Sequence, residues 1–236
     1  DFVTLRNSRA GMRCVQCSAF FPGHLTIENN TFDGLVVNSG RVGIFGAQAP
    51  LPGGLNVIRN NGGNGISVSN GGLVDLGREN HIQNNGLSGI ILTNGGIANI
   101  NGPTIIEGHP RTGIAVLMSS KLHTIGAKIR NNGVATDEFR TGVSGTHNSL
   151  VWMSNSEITG TTGRGMTIDS GATARLDNMM FSGNTELNVR VATGGIFESI
   201  GGNTIPATSI VCDATAIVFG NLTGIAGFEC EKATKK

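Results

Sequence analysis

Apolar and polar residues alternate in short runs along the whole chain. In Ile66-Ser67-Val68-Ser69 and in Met166-Thr167-Ile168-Asp169, every second side chain is apolar. A period of two places alternate side chains on opposite faces, which is typical of a half-buried β-strand and not of a helix. The pattern therefore predicts a protein built from many short strands, each with one buried face.

The strands belong to a sequence repeat. The segment "NNGGNGISVSNGG" at 60–72 returns as "NNGLSGIILTNGG" at 84–96. Aligned on the Gly before each apolar residue, the clearest copies are Gly65-Ile66, Gly89-Ile90, Gly113-Ile114, Gly142-Val143 and Gly165-Met166. The steps between them are 24, 24, 29 and 23 residues, which is a solenoid period. Weaker copies at Gly34-Leu35, at 187–189 and at 205–212 extend the series to about eight repeats.

Each repeat contains two further apolar runs. A second strand is predicted around Ile58, Ile82, Ile105, Ile129, Ile158 and Phe181, and a third around Val74, Ile97 and Ile196. A coil of about 23 residues with three strands and three turns has no room for a crossover helix, so each coil must pair with the next in parallel. We expect one β-helix domain over 1–236 with a degenerate closing coil at 203–230. Either earlier coils precede Asp1, or another chain covers the first strands.

Asparagine pairs recur before the central strand, as Asn29-Asn30, Asn60-Asn61, Asn84-Asn85 and Asn131-Asn132. Asn tolerates left-handed backbone, and stacked Asn side chains can form hydrogen bonds from coil to coil. In its coil length, three-strand coils, Asn ladder and Gly-Ile strand entries, nearly the whole chain resembles the right-handed parallel β-helix, or pectin lyase-like, superfamily. The resemblance implies an architecture shared by pectinases, alginate-modifying enzymes, phage tailspikes and non-catalytic adhesins, and it does not select a function.

Composition narrows the possible partners. The chain has 37 Gly and 14% charged residues, and 17 Lys and Arg balance 16 Asp and Glu to a net charge of +1. This balance offers no global field for nucleic acid or an anionic membrane, and no apolar run is long enough for a membrane span. We expect a protein of the extracellular space, cell surface or virion. No cofactor is expected, and because the Asp residues are scattered, no metal site is predicted.

The four cysteines lie at the two ends of the predicted rod. Cys14 and Cys17 fall in the first coil, and Cys212 and Cys230 fall in the last, so a four-cysteine zinc site is excluded. We favour a disulfide between Cys212 and Cys230 that closes the final coil in an oxidising compartment. For Cys14 and Cys17, a local disulfide or buried thiols are expected instead of a redox motif.

Candidate chemistry is concentrated in turns of adjacent coils. The 29-residue step contains the polar insertion "GVATDEFRTG" at 133–142, whereas the insertion "FGAQAPLPGG" at 45–54 has no charge. The candidate ligand-binding residues are Arg111, Arg140, Arg164 and His147. The candidate catalytic residues are Glu107, His109, Asp137 and Glu138. A column of arginines would bind successive carboxylate or sulfate groups of an acidic glycan, and a nearby His or carboxylate could act as acid or base. Alternatively, these charges only form ion pairs that hold a loop.

The sequence leaves binding and catalysis open. Compared with polygalacturonases, "NTFDG" at 30–34 and "GHP" at 108–110 depart from the family's motifs, and no adjacent Asp pair is present. We therefore expect a structural or glycan-contacting β-helix, with a polysaccharide lyase or glycosidase, including the phage tailspike type, as the alternative.

Aromatic residues and the outer face of the central strands bear on possible partners. Trp152 is the single Trp and lies either in the core or beside His147, while Phe32, Phe181 and Phe219 occupy core-like positions. Neutral sugars usually bind to exposed aromatic side chains, and this chain has no Tyr and a single Trp. An acidic glycan is therefore favoured over a neutral one. The flat outer face of the central strands, with Ile91 and Leu117 as apolar contacts, offers a surface for self-association.

Overall fold

The protein folds as a parallel β-helix with three sheets. The computed structural model describes residues 3–45, 55–134, 140–206 and 210–225 together with the backbone of 228–230. Within these residues the secondary structure consists of β-strands, and every pairing between strands is parallel. The predicted solenoid with three strands per coil is therefore confirmed. Most of the two insertions, including Asp137 and Glu138, lies outside the described residues.

Each of the first eight coils contributes one strand to each of three sheets, which we call sheets A, B and C, and the remaining strands extend sheets B and C. Sheet A contains β1 (Val3–Arg6), β4 (Leu25–Glu28), β7 (Asn56–Arg59), β10 (Asn80–Gln83), β13 (Ile105–Glu107), β16 (Lys128–Arg130), β19 (Glu157–Thr159) and β22 (Met180–Ser182). Sheet B contains β2 (Met12–Val15), β5 (Leu35–Asn38), β8 (Ile66–Ser69), β11 (Ile90–Thr93), β14 (Ile114–Val116), β17 (Thr141–Gly145), β20 (Arg164–Ile168), β23 (Leu187–Val191), β25 (Ile210–Cys212) and β27 (Phe228–Cys230). Sheet C contains β3 (Ser18–Phe21), β6 (Arg41–Phe45), β9 (Leu73–Gly77), β12 (Ile97–Asn101), β15 (Lys121–Ile125), β18 (Leu150–Ser154), β21 (Thr173–Asp177), β24 (Ile196–Gly201) and β26 (Ile217–Gly220).

The core consists of equivalent apolar residues stacked coil on coil. In sheet B the stack runs through Ile66, Ile90, Ile114, Val143 and Met166, all fully buried. The glycine before each of these residues has a steric cause. A Cβ at Gly65 would lie 2.7 Å from the Gly89 carbonyl oxygen and 2.7 Å from Ile82 Cγ2, so a side chain does not fit there.

The two members of each asparagine pair have different roles. The first member adopts left-handed backbone, with φ of 56° at Asn29, 54° at Asn60 and 51° at Asn84. The second member is buried and joins a hydrogen-bonded ladder at the turn between sheets A and B. In this ladder Asn61 Oδ1 accepts from the Asn30 backbone at 3.2 Å, and Asn85 Oδ1 accepts from the Asn61 backbone at 3.1 Å. Backbone groups that the turn leaves without partners are thereby satisfied.

A histidine takes the place of asparagine in the next coil of this ladder. His109 is fully buried, its Nδ1 accepts from the Asn85 backbone at 3.2 Å, and its Nε2 donates to the Ile82 carbonyl at 3.1 Å. The ladder then continues through Asn132, whose Oδ1 accepts from the His109 backbone at 3.2 Å. The imidazole thus supplies the same acceptor and donor as the amide that it replaces.

The phenylalanine predictions are correct only in part. Phe181 is buried in the core, but Phe32 is 50% exposed and Phe219 is 46% exposed. Phe32 lies in a turn, where Arg9 covers its ring. Phe219 lies on the outer face of sheet C, because its strand pairs in register with the outward residues of β24. No helix that could cross a membrane is found in the described part of the chain.

Candidate functional site

A groove crosses the outer face of sheet B between β11 and β23. It consists of two adjoining depressions of about 360 and about 490 Å³ that share Thr112, Ser144, Thr146 and Asp169. We call it the sheet B groove. Its remaining lining residues are Ser88, Ile91, Arg111, Ala115, Leu117, Met118, Thr141, His147, Arg164, Thr167, Ser170 and Arg190.

Strand register determines which side chains line the groove. Ala115, Ser144, Thr167 and Arg190 occupy one row across four coils. The residues between them along the strands, such as Val143 and Met166, are fully buried, so the row points outward. The floor is therefore made of small and hydroxyl-bearing side chains, and a long cationic side chain closes one end.

Positive charge predominates in the groove. Arg111, Arg164 and Arg190 contribute three guanidinium groups, whereas Asp169 is the one carboxylate among the described lining residues. Arg190 is half-buried and forms no ion pair with any residue that the structure describes. A guanidinium in this situation is a ready partner for an anionic ligand.

A cluster of two arginines and one glutamate borders the groove. Glu186 Oε1 accepts from Arg140 Nη2 at 2.5 Å, and Glu186 Oε2 lies 3.5 Å from Arg164 Nε. One carboxylate therefore forms ion pairs with two guanidinium groups, which gives the cluster a net positive charge. The arrangement also holds Arg164 at the groove, with about a third of its side chain exposed.

Hydroxyl groups form the polar part of the groove wall. Thr146 Oγ1 lies 2.7 Å from His147 Nδ1, at the end of the groove where His147 is exposed. Thr167 Oγ1 is buried without a hydrogen-bond partner in the part of the chain that the structure describes. A buried hydroxyl without a partner costs about 1–3 kcal/mol.

Four predicted ligand-binding residues lie at or beside the groove. Arg111, Arg164 and His147 line it directly, and Arg140 contacts it through Glu186. The column itself is irregular. The coil register places Arg164 opposite Thr141, so Arg164 is one position further along its coil than Arg140 is. This offset widens the cationic region along the strand direction.

The predicted catalytic residues are separated from one another. Glu107 lies on the outer face of sheet A, where its carboxylate accepts from Arg130 Nε at 2.6 Å and from Gln83 at 2.7 Å. His109 is inside the wall of the helix, where burial lowers its pKa to about 4. The geometry gives these two residues structural roles. Asp137 and Glu138 lie outside the described residues, so their roles stay predictions.

Sequence reasoning missed Arg190 as a site residue. The repeat at 187–191 lacks the glycine that marks the clearest copies, so its outward residue was not compared with those of the other coils. The signal was nevertheless present, because Arg190 stands at the same strand position as Thr167 and Ser144. Extending the outward row by one coil would have found it.

A second surface lies on the outer face of sheet C. One residue per coil forms a continuous row, which we call the sheet C row. Its members are Phe20, Gly43, Asp75, Asn99, His123, Trp152, Arg175, Glu198 and Phe219. Trp152 is 40% exposed and its ring centroid lies 4.8 Å from that of His123, not beside His147.

The disulfide predictions have different outcomes. Cys14 and Cys17 form a local disulfide, with their Cα atoms 5.3 Å apart. Cys212 is buried and takes part in a disulfide, and its register neighbour in the next coil is Cys230. The pairing of Cys212 with Cys230 stays a prediction. Among the described residues, no cluster of three or more His, Cys, Asp and Glu side chains could hold a metal ion.

The class of protein follows from the strand pairing itself. The chain is a parallel β-helix with three sheets and about eight coils. It is similar to the A-module of the mannuronan C-5 epimerase AlgE4 from Azotobacter vinelandii, with a TM-score of 0.36 and 12% identity over 99% of this chain and 88% of that chain. No protein-family model matches the chain, and no curated protein matches it.

Proposed function

We propose that the protein is a glycan-contacting β-helix of the extracellular space, cell surface or virion that binds an acidic polysaccharide in the sheet B groove. The observation that carries this proposal is the ratio of three arginines to one carboxylate among the described lining residues. The Cys14–Cys17 disulfide supports an oxidising compartment.

The groove fits an extended anionic polymer better than a compact ligand. Arg111 and Arg164 are two coils apart, which corresponds to about 10 Å along the rod at ~4.8 Å per coil. Guanidinium groups bind carboxylate and sulfate in two parallel hydrogen bonds, and the hydroxyls between them can bind sugar hydroxyls. A chain with charged groups at intervals would contact the arginines in succession.

Binding is favoured over hydrolysis. A glycosidase of the usual kind uses two carboxyl groups about 5–9.5 Å apart. Asp169 is the one carboxylate that the described lining residues supply. The groove thus has arginine side chains that can recognise an acidic glycan. Its described lining residues do not supply the pair of carboxyl groups that bond cleavage requires.

The first test is titration with acidic and neutral polysaccharides. Removing the charge of Arg164 or Arg190, as Arg164→Gln or Arg190→Gln, should weaken binding of the acidic polymer by at least about tenfold each, since one charge-assisted hydrogen bond contributes about 1.5–3 kcal/mol. Isothermal titration calorimetry at low salt measures the change, and rising salt should weaken the wild type.

Arg59→Gln is the matched control, because Arg59 pairs with Glu28 on the outer face of sheet A, away from the groove. Equal binding of neutral and acidic polymers, or unchanged affinity in both groove variants, would contradict the proposal. Product size should be followed by chromatography in the same samples, because shortened chains would establish the enzyme alternative.

A further inference from the structure

The outer face of sheet C exposes several large apolar side chains. Trp152 is 40% exposed, Leu150 beside it is 37% exposed, and Ile217 near the C-terminal end is 52% exposed. Phe20 at the N-terminal end of the same face is 66% exposed. Large apolar side chains exposed along one flat face are available to an interaction partner.

Ion pairs lie near both ends of the sheet C row. Near the N-terminal end, Arg41 extends across to Asp75 with an Nη2 to Oδ2 distance of 2.9 Å. Near the C-terminal end, Arg175 Nε lies 3.2 Å from Glu198 Oε2. In both pairs the cation belongs to the earlier coil and the anion to the later coil.

Two copies of the sheet C row that run in opposite directions bring residues of opposite charge together. From the N-terminal end the row reads Phe20, Gly43, Asp75, Asn99, His123, Trp152, Arg175, Glu198, Phe219. Arg41 lies outside the row, two residues before Gly43 on the same strand, and its guanidinium reaches Asp75 of the next coil. When a second row runs in the opposite direction, Glu198 meets Gly43 with Arg41 beside it, and Asp75 meets Arg175. Phe20 meets Phe219, and His123 meets its own copy at the centre.

We propose that the sheet C faces of two copies of this chain pack against each other with the rods antiparallel, forming a two-fold symmetric dimer. A two-fold interface requires that the same patch be complementary to itself, and the sheet C row together with Arg41 satisfies this requirement in its charges and in the two phenylalanines at its ends. Each ion pair joins its counterpart in a cluster of four charges with alternating sign, which gives the register its specificity.

The face is large enough for a stable dimer. The nine strands of sheet C at ~4.8 Å, with three outward positions per strand, give about 40 Å by about 18 Å, or about 1,400 Å² for both copies, within the usual interface range. Lys121, at the start of β15, is the like-charge contact at the two-fold axis, and its flexible stem allows the ammonium to reach solvent at the sheet edge. The sheet B groove lies on another face, so the dimer leaves it open.

A charge swap between the two ends of the face tests the register. Arg41→Glu and Glu198→Arg each oppose like charges twice in a homodimer, so each alone should raise the dimer Kd by at least about tenfold. Mixed in equal amounts, the two variants should dimerise again, because every opposed pair then has opposite charges. Sedimentation velocity at rising protein concentration measures the mass of wild type, single variants and mixture.

Arg175→Glu and Arg59→Glu form a matched pair of further variants. Both arginines pair with a glutamate of a neighbouring coil, and their side chains are 46% and 47% exposed, but Arg59 lies on sheet A. Only the change at Arg175 should weaken the dimer. Circular dichroism verifies folding, and Leu150→Lys replaces any variant that fails to fold.

Three outcomes would overturn the proposal. The first is a wild type that stays monomeric at every concentration, which would leave this face to a glycan or another protein. The second is a dimer that tolerates all of these variants. The third is a pair of weakened variants whose mixture does not recover. The dimer is tested by the mass from sedimentation velocity alone. A protein that does not bind polysaccharide would therefore contradict the proposed function but not the proposed dimer.

Discussion

Asn61→Ala is expected to destabilise the β-helix by about 4 kcal/mol, because it breaks the ladder at a buried position. Asn61 is 1% exposed. Its Oδ1 accepts from the backbone and side chain of Asn30 at 3.2 and 2.8 Å, and its Nδ2 donates to the Ile27 carbonyl at 3.2 Å and to Asn85 Oδ1 at 2.9 Å. Alanine makes none of these bonds, and at least two buried partners lose a bond at about 1–3 kcal/mol each.

Urea denaturation followed by circular dichroism measures this loss. Asn101→Ala is the matched control, because Asn101 is exposed at the end of β12 and its replacement should change stability by less than about 0.5 kcal/mol. Hydrogen exchange should show the loss of protection first in β4 and β7, the strands that lead into the affected turns. Equal denaturation midpoints for the two variants would show that the ladder does not stabilise the fold.

The fold was predictable because one local requirement recurs in every coil. A glycine is needed where a Cβ would collide with the next coil, as at Gly89, where it would lie 2.6 Å from the Gly113 carbonyl oxygen. The left-handed residue and the ladder residue follow each other in the same way, as in Asn84-Asn85. Such requirements are set by neighbours one coil away, so they appear in the sequence as a period.

The site was predictable only in part, because it depends on single-residue offsets between coils. Arg111 and Arg140 each stand two residues before a glycine, but Arg164 stands directly before Gly165. The repeat shows that these residues lie in the same turn of successive coils. It does not show the one-residue offset between Arg140 and Arg164, which depends on the local strand register. The outward or inward direction of His109 is likewise set by its ladder bonds, which a motif comparison does not show.

The sheet C row was present in the sequence but was not recognised. Asp75, Asn99, His123, Trp152 and Arg175 recur at steps of 24, 24, 29 and 23 residues, the same steps as the glycines. Their side chains differ completely in type, so no similarity between copies draws attention to them. Only the strand pairing shows that the residues form one row.

The stability of the wild type is expected to fall by about 3 kcal/mol more than that of His109→Asn as the pH falls from about 6.5 to about 4. Burial lowers the pKa of His109 from its ordinary value of 6.5 to about 4, and its hydrogen bond to the Ile82 carbonyl offsets this only in part. Between these two values the unfolded chain binds a proton that the folded protein excludes. The stabilisation is therefore complete above pH 6.5 and is lost as the pH falls towards 4.

Asparagine isolates this effect because it does not titrate and is the usual residue of the ladder. Its amide can accept from the Asn85 backbone and donate to the Ile82 carbonyl, as Asn132 Nδ2 donates to the Ile106 carbonyl at 3.0 Å one coil later. Acid also protonates surface carboxylates, but it does so equally in both proteins. Urea midpoints are measured for both proteins at pH 7, 5.5 and 4. The two midpoints should be similar at pH 7, and the wild type should have the lower midpoint at pH 4. If the midpoints of the two proteins instead change with pH in parallel, folding does not lower the pKa of His109. The imidazole would then be protonated in the folded protein, with the ladder opening at His109 without loss of stability.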